Sequence, residues 1–141
     1  MKLLYTWEQF ELDFTVLLHF FSAYDYVPKT IIGISKGGLP LAVKLANHYN
    51  TDFYTIGLKS YQGTKRSKIK VYQDIPVKRL KTPILLVDDI SDSGESFLYA
   101  LKHLKQKVTT VSLFIKKDTK FNPRFSLHEV PKKCWVAFPW E

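Results

Sequence analysis

Apolar and polar positions alternate in blocks along this chain, and each block has the length of a helix or a strand. Thr6 followed three residues later by Gln9 reads as a capping box, and an apolar, aromatic-rich helix follows to about Tyr24. Pro28 breaks the chain before a first strand, Thr30 to Ile34. Ser35-Lys36-Gly37-Gly38 is a tight loop, and Pro40 suits the first turn of a second helix running to about Tyr49. Phe53 to Leu58 follows as a strand. Residues 60–68 are polar and basic with a glycine, and predict a mobile loop or hairpin before a short strand, Ile69 to Tyr72. Pro83 precedes a central apolar strand, Ile84 to Val87, which stops abruptly at two carboxylates, Asp88 and Asp89. A Ser/Gly loop and a third helix, Glu95 to Lys105, lead into a strand from Val108 to Ile115. Residues 116–133 read as basic and irregular, with Pro123 and Pro131, and Trp135 to Phe138 is a last short strand.

Strands alternating with helices over short loops predict an α/β fold, with a mostly parallel central sheet flanked by helices. A chain of 141 residues, 45% hydrophobic, suits one domain over residues 1–141 with a real core. Its apolar runs are far too short to span a bilayer, so no membrane partner is expected. The first residues lack the apolar core of a signal peptide, and the single Cys134 fits a reducing compartment, so a cytoplasmic location is expected. His19, His48, His103 and His128 show no metal-ligand spacing. The net charge of +8 does change the picture, because it favours an anionic partner, either nucleic acid or a small phosphorylated substrate. Two basic clusters contribute most: Lys59, Lys65, Arg66, Lys68 and Lys70, then Lys116, Lys117, Lys120, Arg124, Lys132 and Lys133.

The chemistry concentrates in residues 84–96, Ile-Leu-Leu-Val-Asp-Asp-Ile-Ser-Asp-Ser-Gly-Glu-Ser. A buried strand ending in acids and opening into a hydroxyl-rich loop before a helix suits a phosphate ester with Mg²⁺. Loop and helix N–H groups can hold the phosphate, and carboxylates can hold ribose hydroxyls or a hard cation. One acid and one serine would be explained by helix capping alone. Four acids and three serines within nine residues exceed what one helix start needs.

This stretch resembles the phosphoribosyl diphosphate (PRPP) signature of the type I phosphoribosyltransferases. That signature is four apolar residues, two acids, three residues containing an acid, Thr/Ser, Gly, any residue and Thr/Ser, and every element is present. The resemblance implies that Asp88 and Asp89 hold the ribose hydroxyls, with Asp89 at the Mg²⁺. It assigns Ile90, Ser91, Asp92, Ser93, Gly94, Glu95 and Ser96 to the ribose 5′-phosphate loop, with Asp92 also catalytic, at the purine N7 proton. Ser35, Lys36, Gly37 and Gly38 resemble the family's pyrophosphate loop, with a cis peptide expected at Lys36–Gly37. Ser60-Tyr61 resembles the opening of its flexible lid, from which Lys65, Arg66 or Lys68 reaches the diphosphate. The ending Trp-x-x-x-Pro-Trp-acid is similar to the xanthine-guanine branch. There Lys116 would contact a purine 6-oxo group, Trp135 would stack on the base and Val136 would line it. Ala137 stands where that branch has an acid, which leaves the order of guanine, xanthine and hypoxanthine open.

The implied fold is the type I phosphoribosyltransferase fold with a small C-terminal hood. The implied activity is Mg²⁺-dependent transfer of phosphoribose from PRPP to a 6-oxopurine in purine salvage, by a homodimer or homotetramer. Two rivals share the fold: a PRPP-sensing regulator that binds nucleic acid, which +8 would suit, and an adenine-preferring transferase. The intact Asp92, Lys116 and Trp135 favour the enzyme, so no nucleic-acid partner is expected.

Overall fold

The computed structural model describes residues 1–62 and 67–141, with side chains for 1–60 and 68–141. Thr6 does cap the first helix: its Oγ1 accepts from the Gln9 N–H at 3.1 Å, and Gln9 Oε1 accepts from the Thr6 N–H at 2.9 Å. In chain order the elements are β1 (Lys2–Leu4), α1 (Trp7–Ala23), β2 (Thr30–Ser35), α2 (Leu39–Tyr49), β3 (Asp52–Gln62) and β4 (Ser67–Gln73). They continue with β5 (Ile84–Ser91), α3 (Glu95–Leu104), β6 (Thr109–Lys116), β7 (Phe125–Val130) and β8 (Trp135–Ala137).

Six strands form one sheet in the order β4-β3-β2-β5-β6-β7, parallel except for β4. Successive side chains on a strand face opposite ways, so each apolar strand serves two cores. Ile31, Leu85, Val87, Val111 and Leu113 pack with α1 and α2. Ile32, Ile34, Ile84 and Leu86 pack with Phe97, Ala100 and Leu104 of α3. The chain leaves β2 towards β3 on one side and later returns to place β5 on the other. A crevice therefore opens between the carboxyl ends of β2 and β5, where open α/β sheets bind ligands.

Three expectations need correction. β5 runs past Val87 to Ser91, so both carboxylates are on the strand rather than in the loop. Residues 116–133 are not wholly irregular, because β7 extends the sheet from Phe125 to Val130 beside β6. The hood is not purely C-terminal: β8 pairs in parallel with β1, Lys2 opposite Trp135 and Leu4 opposite Ala137. Tyr5 locks this small sheet to the body. Its hydroxyl donates to Asp13 Oδ2 at 2.5 Å, the same oxygen that His128 Nε2 meets at 2.8 Å.

The segment expected as a lid lies between β3 and β4, which pair in antiparallel fashion. β3 follows β2 only as far as Gly57, opposite Ser35, then pairs with β4 alone beyond the sheet's carboxyl edge. Five further residues of strand carry it about 16 Å past the crevice rim.

Phe97 is fully buried and stacks on Phe121 at 5.2 Å, joining α3 to the loop before β7. Phe97→Ala should cost about 3–5 kcal/mol, read as a lower urea midpoint at unchanged m.

Candidate active site

Parity along β5 separates the two acids. Asp88 shares the face of Leu86 and lines a cleft of about 210 Å³ with Asp92, Ser93, Gly94, Ser96 and Phe97. Asp89 points the other way, towards the Ser35–Gly38 loop and the C-terminal segment. A side chain at Gly37 would overlap its carboxylate, with an added Cβ only 2.7 Å from Asp89 Cγ. Trp140 Nε1 faces Asp89 Oδ2 at 3.4 Å. Gly38 is equally tight, since its Cβ would lie 2.8 Å from the Ile34 carbonyl oxygen. These two glycines let the loop after β2 lie directly on the end of β5.

Burial pushes the Asp88 carboxyl well above the ordinary carboxylate range, and the neighbouring Asp89 charge pushes it further. Asp89 is raised by burial too, offset in part by hydrogen bonds from Asp88 and Trp140. Such a pair fits a cation or a set of hydroxyl donors. Among the described residues no three His, Cys, Asp or Glu side chains cluster as a metal cage. Two adjacent carboxylates suit Mg²⁺, which takes one or two such ligands and completes its shell with water and substrate phosphates.

The Asp92–Ser96 turn is held from behind. Gly94 adopts φ +90° at the start of α3, and an added Cβ there would meet the Phe121 backbone N at 2.6 Å. The Lys120 N–H donates to the Ser93 carbonyl at 3.0 Å. Ser93 Oγ accepts from the Glu95 N–H at 3.3 Å, and Glu95 pairs with Lys120 at 3.6 Å. Asp92 and Ser93 are exposed on the turn, Ser96 is half-buried, and Ile90 packs against the α1 side of the core. Ser91 departs from expectation. It lines the same cleft, but its buried hydroxyl binds Thr119 Oγ1 at 2.9 Å and donates to the Phe121 carbonyl at 2.7 Å, so that hydroxyl braces the loop.

The loop after β2 holds a cis peptide, at Ser35–Lys36 rather than at the expected Lys36–Gly37. Lys36 is exposed, and Ser35 Oγ meets the Tyr72 hydroxyl at 2.6 Å, tying this loop to β4. Ser60 and Lys68 are exposed on the hairpin arms. Lys65, Arg66 and the side chain of Tyr61 lie outside the described residues.

Lys116, the last residue of β6, is buried rather than solvated. Its ammonium donates to the Lys132 carbonyl at 2.9 Å and to the Cys134 carbonyl. One of its three protons remains for a ligand. Trp135 exposes 61% of its surface on the hood, whereas the Val136 side chain is in the core, leaving only its backbone for a base. Sequence reasoning passed over Tyr72, Thr119, Phe121 and Trp140. Trp140 alone carried a visible signal, the Pro-Trp-acid ending.

The phosphoribosyl transferase domain family matches residues 4–141. This chain belongs to that family. It is 28% identical over 137 residues to the xanthine-guanine phosphoribosyltransferase of Chromohalobacter salexigens, covering 96% of this chain and 82% of that one. The Helicobacter pylori xanthine-guanine-hypoxanthine phosphoribosyltransferase superposes at TM-score 0.87 with 30% identity, over 100% of this chain and 94% of its own. A purine phosphoribosyltransferase from Pyrococcus horikoshii gives TM-score 0.87 at 27% identity, over 99% and 94%. The chain is a type I purine phosphoribosyltransferase near the xanthine-guanine branch, as the resemblance implied.

Asp88 carries a stability cost with a definite sign. Its folded carboxyl keeps a proton at pH values where the unfolded chain has lost it, so stability falls as pH rises from about 3.8 through the raised value. Asp88→Asn should therefore raise the melting temperature of the ligand-free protein at neutral pH, by roughly 3 °C. The gain should shrink as pH approaches 4. A lower melting temperature at neutral pH would contradict this account.

Proposed function

We propose that this phosphoribosyltransferase moves the 5-phosphoribosyl group of PRPP to N9 of guanine, xanthine or hypoxanthine, releasing pyrophosphate and forming the nucleoside 5′-monophosphate in purine salvage. The observation that carries this is the pairing of Asp88 and Asp89 with the Asp92–Ser96 turn at the β2–β5 crevice. We place the protein in the cytoplasm, as one domain over residues 1–141, working as a homodimer or homotetramer.

In this reading the 5′-phosphate sits on the backbone N–H groups and hydroxyls of Ser93 to Ser96, at the start of α3. Asp88 and Asp89 accept hydrogen bonds from the ribose hydroxyls and, with Asp89 foremost, hold Mg²⁺. Bound there, Mg²⁺ offsets the charge of the leaving diphosphate. Lys36 and the N–H groups of Gly37 and Gly38 hold that diphosphate from the β2 side. The β3–β4 hairpin, anchored through Tyr72 to Ser35, covers it and excludes water. Positive charge develops at C1′ as its bond to the diphosphate lengthens, and N9 attacks from the hood side. Asp92 takes or shares the N7 proton, which raises electron density at N9. The remaining Lys116 proton meets the 6-oxo group, and Trp135 stacks on the base.

The direct experiment supplies PRPP, Mg²⁺ and one base at a time, and follows nucleotide and pyrophosphate. A lysine donor suits an oxo group and not an amino group, so a 6-oxopurine should exceed adenine by ~10²-fold or more in kcat/KM. Adenine as the best substrate would overturn the assignment of the base.

Asp92 is exposed at the turn and absent from the hydrogen bonds that build the loop, so its removal should spare the fold. Asp92→Asn should keep PRPP affinity while lowering kcat by about 10²-fold. Wild-type turnover in this variant would remove Asp92 from the mechanism.

A further inference from the structure

The amino ends of the parallel strands lie at the edge of the sheet opposite the crevice. Four neighbouring strands, β2, β5, β6 and β7, each start just after an exposed cation: Lys29, Lys81, Lys107 and Arg124. Adjacent strands are about 4.8 Å apart, so the four cations span a row of about 14 Å. Backbone contacts hold three of them in place. The Lys29 N–H donates to the Pro83 carbonyl at 2.8 Å, Thr30 Oγ1 donates to the Lys81 carbonyl at 2.7 Å, and the Arg124 N–H donates to Thr110 Oγ1 at 2.9 Å. Lys78 and Arg79, exposed on a single helical turn, and Lys105 at the end of α3 flank the row. Gln106 Nε2 ties that turn to α3 by donating to the Val77 carbonyl at 2.5 Å. The nearby acids are Asp25, Asp52, which meets Lys81 at 3.9 Å, and Asp74, which His103 holds at 2.8 Å. The sequence disperses these cations, and only Arg124 falls in either basic cluster; the parallel topology gathers them.

At the β6–β7 end of the row the edge also holds a slot for a flat ring. A cleft of about 310 Å³ opens among Tyr24, Tyr26 and Phe125, with Lys107 and Arg124 on its walls. The Arg124 guanidinium lies over the Tyr24 ring at 5.2 Å and the Phe125 ring at 5.8 Å. Aromatic faces and guanidinium planes stack on unpaired bases of any identity, while a line of cations follows the phosphates between them.

We propose that this edge binds single-stranded nucleic acid, with phosphates along Lys29, Lys81, Lys107 and Arg124 and a base in the Tyr24–Phe125 cleft. An anionic membrane would match the cations, but its headgroups bring no ring for the cleft. The expectation against a nucleic-acid partner came from residues of the crevice, and this surface is separate from them. The eight residues of β5 put about 25 Å between the two ends of the sheet. Strand and transferase substrates therefore bind together, and the proposal stands or falls independently of the transferase assignment.

Fluorescence anisotropy of a labelled oligouridylate with the full chain tests it. Binding should be micromolar at about 50 mM KCl, and log affinity should fall with log salt at a slope near −3, about 0.7 for each of four phosphates. Lys29→Gln/Lys107→Gln should weaken binding by about fivefold or more and flatten the slope by about 1.4, with transferase turnover unchanged. Tyr24→Ala should weaken it by about fivefold or more at an unchanged slope. Lys132→Gln/Lys133→Gln removes the same charge from the hood side and should leave affinity within about twofold. Excess PRPP with Mg²⁺ should displace nothing. Absence of binding at low salt overturns the proposal, whether or not the chain pellets with phosphatidylserine vesicles. So does an equal loss in both double variants, displacement by PRPP, or uridine monophosphate that binds as tightly as the oligonucleotide.

Discussion

Everything at the crevice depends on placing two carboxylates side by side at the end of an apolar strand. Asp89 lies against Gly37 and the Trp140 indole, and among the described residues neither acid forms an ion pair with a cation. Burial opposes the ionisation of both, and the Asp89 charge adds to it at Asp88 and the Glu141 charge at Asp89, which is why both carboxyls sit above their usual range. The strand period turns this into a division of labour, since Asp88 faces the phosphate turn and Asp89 the loop after β2. The ligand-free protein holds this pair at a cost to its own stability. In the proposed function a substrate rich in hydroxyls and accompanied by a divalent cation would relieve it, so affinity and specificity would come from one unfavourable arrangement.

Much of this was legible in the sequence because the elements involved are local. The Ile84–Ser96 stretch reads as strand, turn and helix from spacing alone, and Gly94 occupies a position of positive φ. The Thr6–Gln9 capping box was visible for the same reason. What escaped depends on partners far along the chain. β1 has three residues and becomes a strand only because β8 pairs with it. β7, Phe-Ser-Leu-His-Glu-Val, alternates weakly and follows a basic stretch with Pro123, so its pattern concealed a strand that β6 templates. Val136 shows the same limit at one residue, because alternation on β8 buries it while Trp135 beside it is exposed.

Lys116 and Ser91 illustrate a second kind of illegibility. Each was read as a group for the ligand, yet each satisfies protein acceptors first. Lys116 holds the carbonyls of Lys132 and Cys134, and Ser91 holds that of Phe121. Residue type and position announce a polar role, but only packing divides that role between scaffold and substrate. Tyr72 joins them, since its link to Ser35 fastens the hairpin base to the loop it overhangs.

The parallel pairing of Lys2–Leu4 with Trp135–Ala137 also has a consequence in time. It joins segments separated by nearly the whole chain, whereas the β2–α2–β3 and β5–α3–β6 units close over short spans. Contacts of such separation form late and are lost early. A nascent chain on the ribosome can therefore build its phosphate turn before the surface that carries Trp135 exists. The half of the crevice built by β5 and α3 would mature first, and the hood would assemble only after β8 has left the exit tunnel.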